Sequence, residues 1–376
     1  MSTIDSNDNA QMLADSARKY VERGYSEVQR AISSQHPDGC HPGRWQEFAD
    51  LGWLALPLAE SCGGLGGSLS DACALAEELG RGLVVEPLTT STVLAGWLLQ
   101  ESTSKGEPSD LLSQLADGSI RIAFAPWEAQ SRYDATDLQT RAESGPHGWL
   151  LQGAKSLALG IAGADMLIVA ALTGPGRRGL FLLASDTNGL EITPRVLYDG
   201  RHAASLRLNS TPAKLLIEGI DEDINTLVTR ALDRTIIAHC AETVGAMVKA
   251  FEITRDHVGT RKQFGKAIAS NQTIQHRLVD LYVEIEETRA LVRAAAASAG
   301  STGVPSPHMT AAAAACMAQV SRHVWEEAIQ LHGAIGMTEE YVIGAYVQRL
   351  ALAGSIYGHI HHHLERLAAQ SLGEIS

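Results

Sequence analysis

Two segments of this 376-residue chain hold residues that could meet a ligand, and one acid sits where it could move a proton. The first segment is Arg261-Lys262-Gln263-Phe264-Gly265-Lys266, lying between two long helical patterns. Three cations on a short connection can hold a phosphate, Arg through its planar fork and Lys as a point charge. The same residues also suit a helix C-terminus, where cations complement the dipole and Gly ends the helix. The second segment is Gln330-Leu331-His332-Gly333-Ala334-Ile335-Gly336, whose two glycines permit close backbone approach to a ligand or simply a tight turn. The acid is Glu242, alone in the apolar run IIAHCAETVGAMV (236–248). A carboxylate there could act as a general base, or pair with an arginine across helices.

Other clusters suggest less. His359, His361, His362 and His363 crowd one helical turn, and His359 and His363 at i, i+4 could share a metal. No HExxH and no carboxylate or Cys ligand pattern accompanies them, so a polar helix face without metal is expected. Gly63, Gly64, Gly66 and Gly67 lack both a preceding strand and the GxGxxG spacing, so they read as a turn. There is no GxSxG nucleophile elbow.

The elements that must position these residues fall into three regions. Residues 1–118 carry helical spacing at 11–33, 44–53 and 69–83. Residues 119–225 carry short apolar runs bounded by Gly, Pro, Asp or Asn: IRIAFAP, GWLLQGAK, ADMLIVAAL, GLFLLAS, LEITPRV and ASLRLNS. With no long helical pattern between them, they predict an antiparallel barrel or sandwich. Residues 226–376 return to helices at 226–259, 269–299, 308–332 and 338–371, which predict a four-helix bundle. The fold class is α+β.

Composition excludes several roles. With 45% hydrophobic and 19% charged residues the chain is neither disordered nor fibrous. A formal charge of −13, with no basic run, argues against a nucleic-acid partner. The polar start MSTIDSNDNAQ is unlike a secretory signal. The longest uncharged stretch, between Arg293 and Arg322, is broken by Gly300, Gly303, Pro305 and Pro307, so no membrane span is expected. Five scattered cysteines without a CxxC pair fit a reducing, cytoplasmic compartment.

Taken jointly, the segments say more. AETVGAM (241–247), RKQFGKAIASNQTIQHRLVD (261–280) and QLHGAIGMTEEY (330–341), preceded by PLAESCGGLGG (57–67) and LAEELGRGL (75–83), resemble the acyl-CoA dehydrogenase family over nearly the whole length. The resemblance implies an N-terminal helical domain (1–118), a middle β-barrel (119–225), a C-terminal four-helix bundle (226–376), and a dimer of dimers with FAD between subunits. It implies an acyl-CoA substrate and an electron acceptor such as an electron-transfer flavoprotein. The neighbour's grip on the ADP part of FAD maps onto Arg261, Gln263, Phe264, Gln272, Gln330 and Gly333.

Other positions depart from the family. Its TEPxAGSD segment matches FAPWEAQSRYD (124–134), without the Gly-Ser pair, and its WITN-like strand matches SLALG, with Leu157 and Leu159 where the flavin ring is met. The catalytic Glu maps onto Tyr357 in one branch of the family and onto Thr235 in another; hydroxyls are far too weak as bases at neutral pH. Glu242, seven residues beyond Thr235, is the remaining candidate base. The chain thus resembles the small β subunits of heteromeric members such as pimeloyl-CoA dehydrogenase. That implies an α2β2 enzyme whose flavin ring and base lie in a paralogous α subunit. A complete homo-oligomeric enzyme using Glu242, and a flavin-free structural partner, stay open beside it.

Overall fold

The computed structural model describes residues 3–102, 110–146, 148–338 and 341–373. Among these the chain runs α1 (Thr3–Gly24), α2 (Glu27–Gln35), α3 (Pro42–Asp50), α4 (Leu69–Arg81), a π-helical turn (Thr89–Gly96), α5 (Trp97–Ser102) and α6 (Asp110–Ala116). Seven strands follow: β1 (Ile122–Ala125), β2 (Arg141–Gly145), β3 (Gly148–Leu159), β4 (Met166–Gly174), β5 (Arg177–Ala184), β6 (Leu190–Val196) and β7 (His202–Ile220). The rest is α7 (Asp221–Thr260), a small hairpin of β8 (Lys262–Gln263) and β9 (Lys266–Ala267), α8 (Gln272–Ala297), α9 (Pro307–His332), α10 (Ile343–Ile356) and α11 (Ile360–Gly373). The starts of several helices are written in sequence. Asn271 caps α8 by accepting from the Thr273 N–H at 3.0 Å, and Pro42 and Pro307 open α3 and α9, where a missing N–H costs nothing.

The chain packs as two compact units. One comprises Met1–Ser26, Leu69–Val84 and Ile236–Ser376; the other comprises Glu27–Ser68 and Val85–Thr235. In the second unit five strands close on themselves: β4 pairs β5, β5 pairs β7, β7 pairs β3, β3 pairs β2 and β2 pairs β4. β1 flanks β4 and β6 flanks β7. Inward side chains such as Leu151, Leu167, Val169, Phe181, Leu183, Leu206 and Leu208 fill the interior. The sheet is mixed and not purely antiparallel. β1 runs parallel to β4, because the long segment between them carries the β2–β3 hairpin and lets the chain return in the same direction.

In the first unit the C-terminal helices form the expected bundle, with the last pattern (338–371) divided into α10 and α11 where Gly358 takes a φ of 131°. The expected helix 11–33 is likewise divided, at residues 25–26. α4 is fastened to its neighbours by a bidentate Arg18–Glu78 pair from α1 and a bidentate Arg81–Glu252 pair from α7. Its backbone also touches α7 directly. A Cβ on Gly245 would lie 1.7 Å from the Glu77 carbonyl oxygen, and one on Gly80 would lie 1.8 Å from that of Glu242. Ala is favoured over Gly in a helix by about 1 kcal/mol. Gly245→Ala is nonetheless expected to lose about 1–3 kcal/mol in urea unfolding, because two helix backbones must separate.

Candidate functional site

The residues with binding chemistry gather at one end of the helical bundle. Arg261 follows the last residue of α7, and the chain turns back at once through the β8–β9 hairpin. Lys262 pairs with Ala267 and Gln263 with Lys266, which leaves Phe264-Gly265 as a two-residue turn. Both take positive φ, 50° and 81°, as the tight hairpin turn of matching twist demands. Gly meets that freely, while a phenylalanine there carries backbone strain of the kind concentrated at functional sites. The Phe264 ring is fully exposed. Gln272 opens α8 after a single 3-10 turn (Ile268–Ser270) and the capping Asn271, and Gln330 lies in the last turn of α9 with Gly333 just beyond its end, all of them exposed.

A stack of rings joins the two motifs. His257, one turn before Arg261, lies against His332, two residues after Gln330, with ring centroids 4.3 Å apart, and Tyr341 closes over His332 at 5.3 Å. His332 donates its Nδ1–H to the Ala328 carbonyl at 2.8 Å. Burial lowers both imidazole pKa values; Arg261 adds to the effect on His257, and His257 to that on His332. Neutral rings can stack where two imidazoliums would repel. Periodicity gave no sign of this contact, since each histidine is unremarkable in its own helix. Glu339 and Glu340 of the motif lie outside the described residues.

This end of the bundle fits the nucleotide part of a flavin. Among the described residues the Arg261 side chain has no ion-pair partner, and Gln263, Gln272 and Gln330 are exposed. Arg supplies a forked cationic donor, the amides supply donors and acceptors, and Phe264 supplies an uncovered ring to stack or pack. Ile335, Val342 and, along α8, Val279, Tyr282 and Val283 are exposed apolar residues of the same unit.

The strand expected to meet a flavin ring looks different. Leu157 on β3 is exposed and offers no polar group, and Leu159 is half-buried. The segment in place of TEPxAGSD is tied down by its own acid. Glu128 is buried and accepts from Lys155 Nζ at 2.7 Å, from the Gln139 N–H at 2.7 Å and from Gln130 Nε2 at 3.1 Å.

The three candidate base positions are all engaged. Thr235 is buried and donates its hydroxyl to the Ala231 carbonyl one turn back. Tyr357 is buried at the end of α10, its ring 5.3 Å from that of His239. Glu242 accepts from Arg349 Nη1 at 2.5 Å, and Arg349 is 2% exposed. Arg349 is the partner that sequence reasoning left unnamed. It had a signal: it is the single charge in IGAYVQRLALAGSI, the counterpart of Glu242 in its own apolar helix.

Of the histidine cluster, His359 Nδ1 accepts from the His362 N–H at 3.1 Å as α11 begins, and His363 is buried. Burial, followed by His362 and Arg366, depresses His363 to about 3. Among the described residues no group of three or more His, Cys, Asp or Glu side chains is arranged to hold a metal.

Comparison with known proteins follows the same lines. Residues 7–119 match the acyl-CoA dehydrogenase N-terminal domain, and residues 226–372 match the acyl-CoA dehydrogenase C-terminal domain. The acyl-CoA dehydrogenase IpdE2 of Mycolicibacterium smegmatis is 26% identical over 363 residues, 96% of this chain and 98% of its own. The mitochondrial long-chain specific acyl-CoA dehydrogenase of Mus musculus is 28% identical over 353 residues, 87% of this chain and 78% of its own. Among solved structures, the Tcur3481–Tcur3483 steroid ACAD superposes with a TM-score of 0.88 at 27% identity, covering 99% of this chain and all of that one. A chain of the ChsE4–ChsE5 complex from Mycobacterium tuberculosis shares the fold at 20% identity with a TM-score of 0.87, covering 99% of this chain and 98% of that one. The motifs at the bundle's end therefore sit on the fold that the resemblance implied, and the chain belongs to the acyl-CoA dehydrogenase family.

Proposed function

We propose that this chain is the β subunit of an α2β2, FAD-dependent acyl-CoA dehydrogenase, lending the nucleotide-binding half of the flavin site to a paralogous α subunit. One contrast carries the reading. The Arg261–Phe264 hairpin is presented to solvent, while the positions for a base hold a threonine, a tyrosine and a glutamate engaged by a buried arginine. FAD, when bound, supplies the hydride acceptor for α,β-dehydrogenation of an acyl-CoA thioester. This chain's part is binding: Arg261 would hold the pyrophosphate, Phe264 would pack against the nucleotide, and Gln263, Gln272 and Gln330 would offer it donors and acceptors, with Gly333 allowing close approach. The exposed apolar residues of α8 and of the 335–342 segment support burial against a partner subunit. The steroid ACAD match, itself a pair of named chains, supports a heteromeric assembly and a bulky cyclic acyl group. Electrons would pass on to an electron-transfer flavoprotein. Among the described residues no helix is long and apolar enough to cross a membrane, and we place the complex in the cytoplasm.

The test is flavin stoichiometry with and without the α subunit. Expressed alone, this chain is expected to be colourless; co-expressed, it is expected to yield a complex with one flavin per αβ pair, read from the flavin absorbance band. Arg261→Ala in the complex is expected to weaken flavin retention about tenfold, the loss of one charge-assisted contact. A yellow homo-oligomer with turnover would instead support a complete enzyme. A complex without flavin would support a structural partner only.

A further inference from the structure

A cavity of about 330 Å³ lies within the helical unit, enclosed by α1, α4, α7 and α8. That volume falls at the small end of ligand pockets, about 300–1,000 Å³. None of its lining residues belongs to the nucleotide hairpin or to the 330–337 segment. Its floor is small and apolar: Ala14, Cys73, Ala74, Ala241, Val244 and Val292. Its mouth is charged. The Arg18 and Arg293 side chains are 46% and 69% exposed there, beside Glu77 and Glu78.

The charges at the mouth are unequally used. Glu78 takes both arms of Arg18, at 2.5 and 3.1 Å. Glu77 takes Arg289 at 2.9 Å and reaches Arg293 only at 3.4 Å. Arg289 is shared between Glu77 and Glu286, and Arg18 is held by both arms on Glu78, so Arg293, reached among the described residues by Glu77 alone, is the least engaged guanidinium at the mouth. A cation over an apolar floor of this size is complementary to one anionic head on a short aliphatic tail.

We propose that this cavity binds a medium-chain carboxylate of about octanoate's size, with the head on Arg293 and the tail against Cys73, Ala74 and Ala241. The site lies away from the flavin arm, so its occupancy can be read without any redox turnover.

Octanoate is the probe, titrated into the protein by calorimetry, with Cys73 alkylation by iodoacetamide followed by peptide mass spectrometry and Cys62 as the internal reference. Saturable binding with a Kd of about 1 mM is expected for a ligand of this size. At ten times that concentration Cys73 alkylation is expected to slow about tenfold while Cys62 is unaffected. Arg293→Glu, at an exposed position, is expected to weaken binding at least about tenfold by reversing the charge under the head. Ala74→Phe is expected to abolish both binding and protection by filling the floor, with a cooperative melt as the check on folding. Three results would each overturn the proposal: no saturation well above the millimolar range, protection that survives both substitutions, or a Cys73 that iodoacetamide cannot reach in the folded protein.

Discussion

Glu242→Gln is expected to destabilise the protein by about 3 kcal/mol, as removing one member of a buried ion pair does. The cost arises at Arg349. Its guanidinium is almost wholly buried, with Nη1 on Glu242 at 2.5 Å and Nη2 on the carbonyls of Val84 at 3.0 Å and Leu83 at 3.4 Å. The carbonyls satisfy hydrogen bonds but carry no net charge, so the carboxylate is what neutralises the cation. An amide still accepts the hydrogen bond, which holds the cost near the lower end of the range of about 3–5 kcal/mol for a broken pair. Urea unfolding of the complex measures it. Glu242→Leu with Arg349→Met is expected to recover most of the loss, since well-packed apolar groups replace such a pair at little cost. The same variants separate two functions for Glu242. A base that touches substrate would give Glu242→Gln near-normal stability with turnover abolished. A clamp would give a weakened protein whose turnover, at temperatures where it stays folded, persists.

The helix–strand–helix order was legible because apolar spacing changes period sharply near residues 119 and 226, and each change coincides with Gly, Pro or Asp. What escaped notice follows from where burial is one-sided. β2, Arg141–Gly145, buries only Ala142, so it lacks the apolar run that marks β3 or β4. The second half of β7 was hidden by Pro212, which argues against a strand interior; it is tolerated opposite Leu150, and beyond it the strand goes on to pair with β5. The arm proposed to hold the nucleotide was visible as residue types, since Arg261, Gln263 and Phe264 keep their spacing whatever surrounds them. Its strained turn and the His257–His332 stack were not, because both depend on the C-terminal ends of α7 and α9 meeting in space. Glu242 stood out as an acid in an apolar run, and pairing with an arginine across helices was one of its two readings. Its partner lies 107 residues away, a separation at which single-sequence periodicity has no view.

The second large effect concerns the staple that stands where the family's TEPxAGSD segment is matched. Glu128→Gln is expected to cost about 3–5 kcal/mol, because Lys155 is then left fully buried without a counter-charge. The pH dependence shows which group is responsible. Burial alone would push the Glu128 carboxyl up, but the charge of Lys155, with hydrogen bonds from Lys155, Thr140 and Gln130, outweighs it and sets the carboxyl at about 2. Its folded value lies below the ordinary one near 4.3, so its contribution is present above that pH and is lost as pH falls toward 2. In the wild-type protein acid unfolding should therefore set in across that interval; in Glu128→Gln this component is absent. Lys155 has the complementary slope. Burial lowers its pKa in spite of Glu128, so the folded state binds fewer protons than the unfolded state below the ordinary lysine value. Without Glu128 that depression deepens, and the variant should regain stability as pH rises from neutral toward about 10. Urea unfolding at neutral and alkaline pH tests the sign. A variant that is equally weak at both would mean that water reaches Lys155 once the carboxylate is gone, and that the segment's fixed geometry rests on the Gln139 and Thr140 backbone bonds alone.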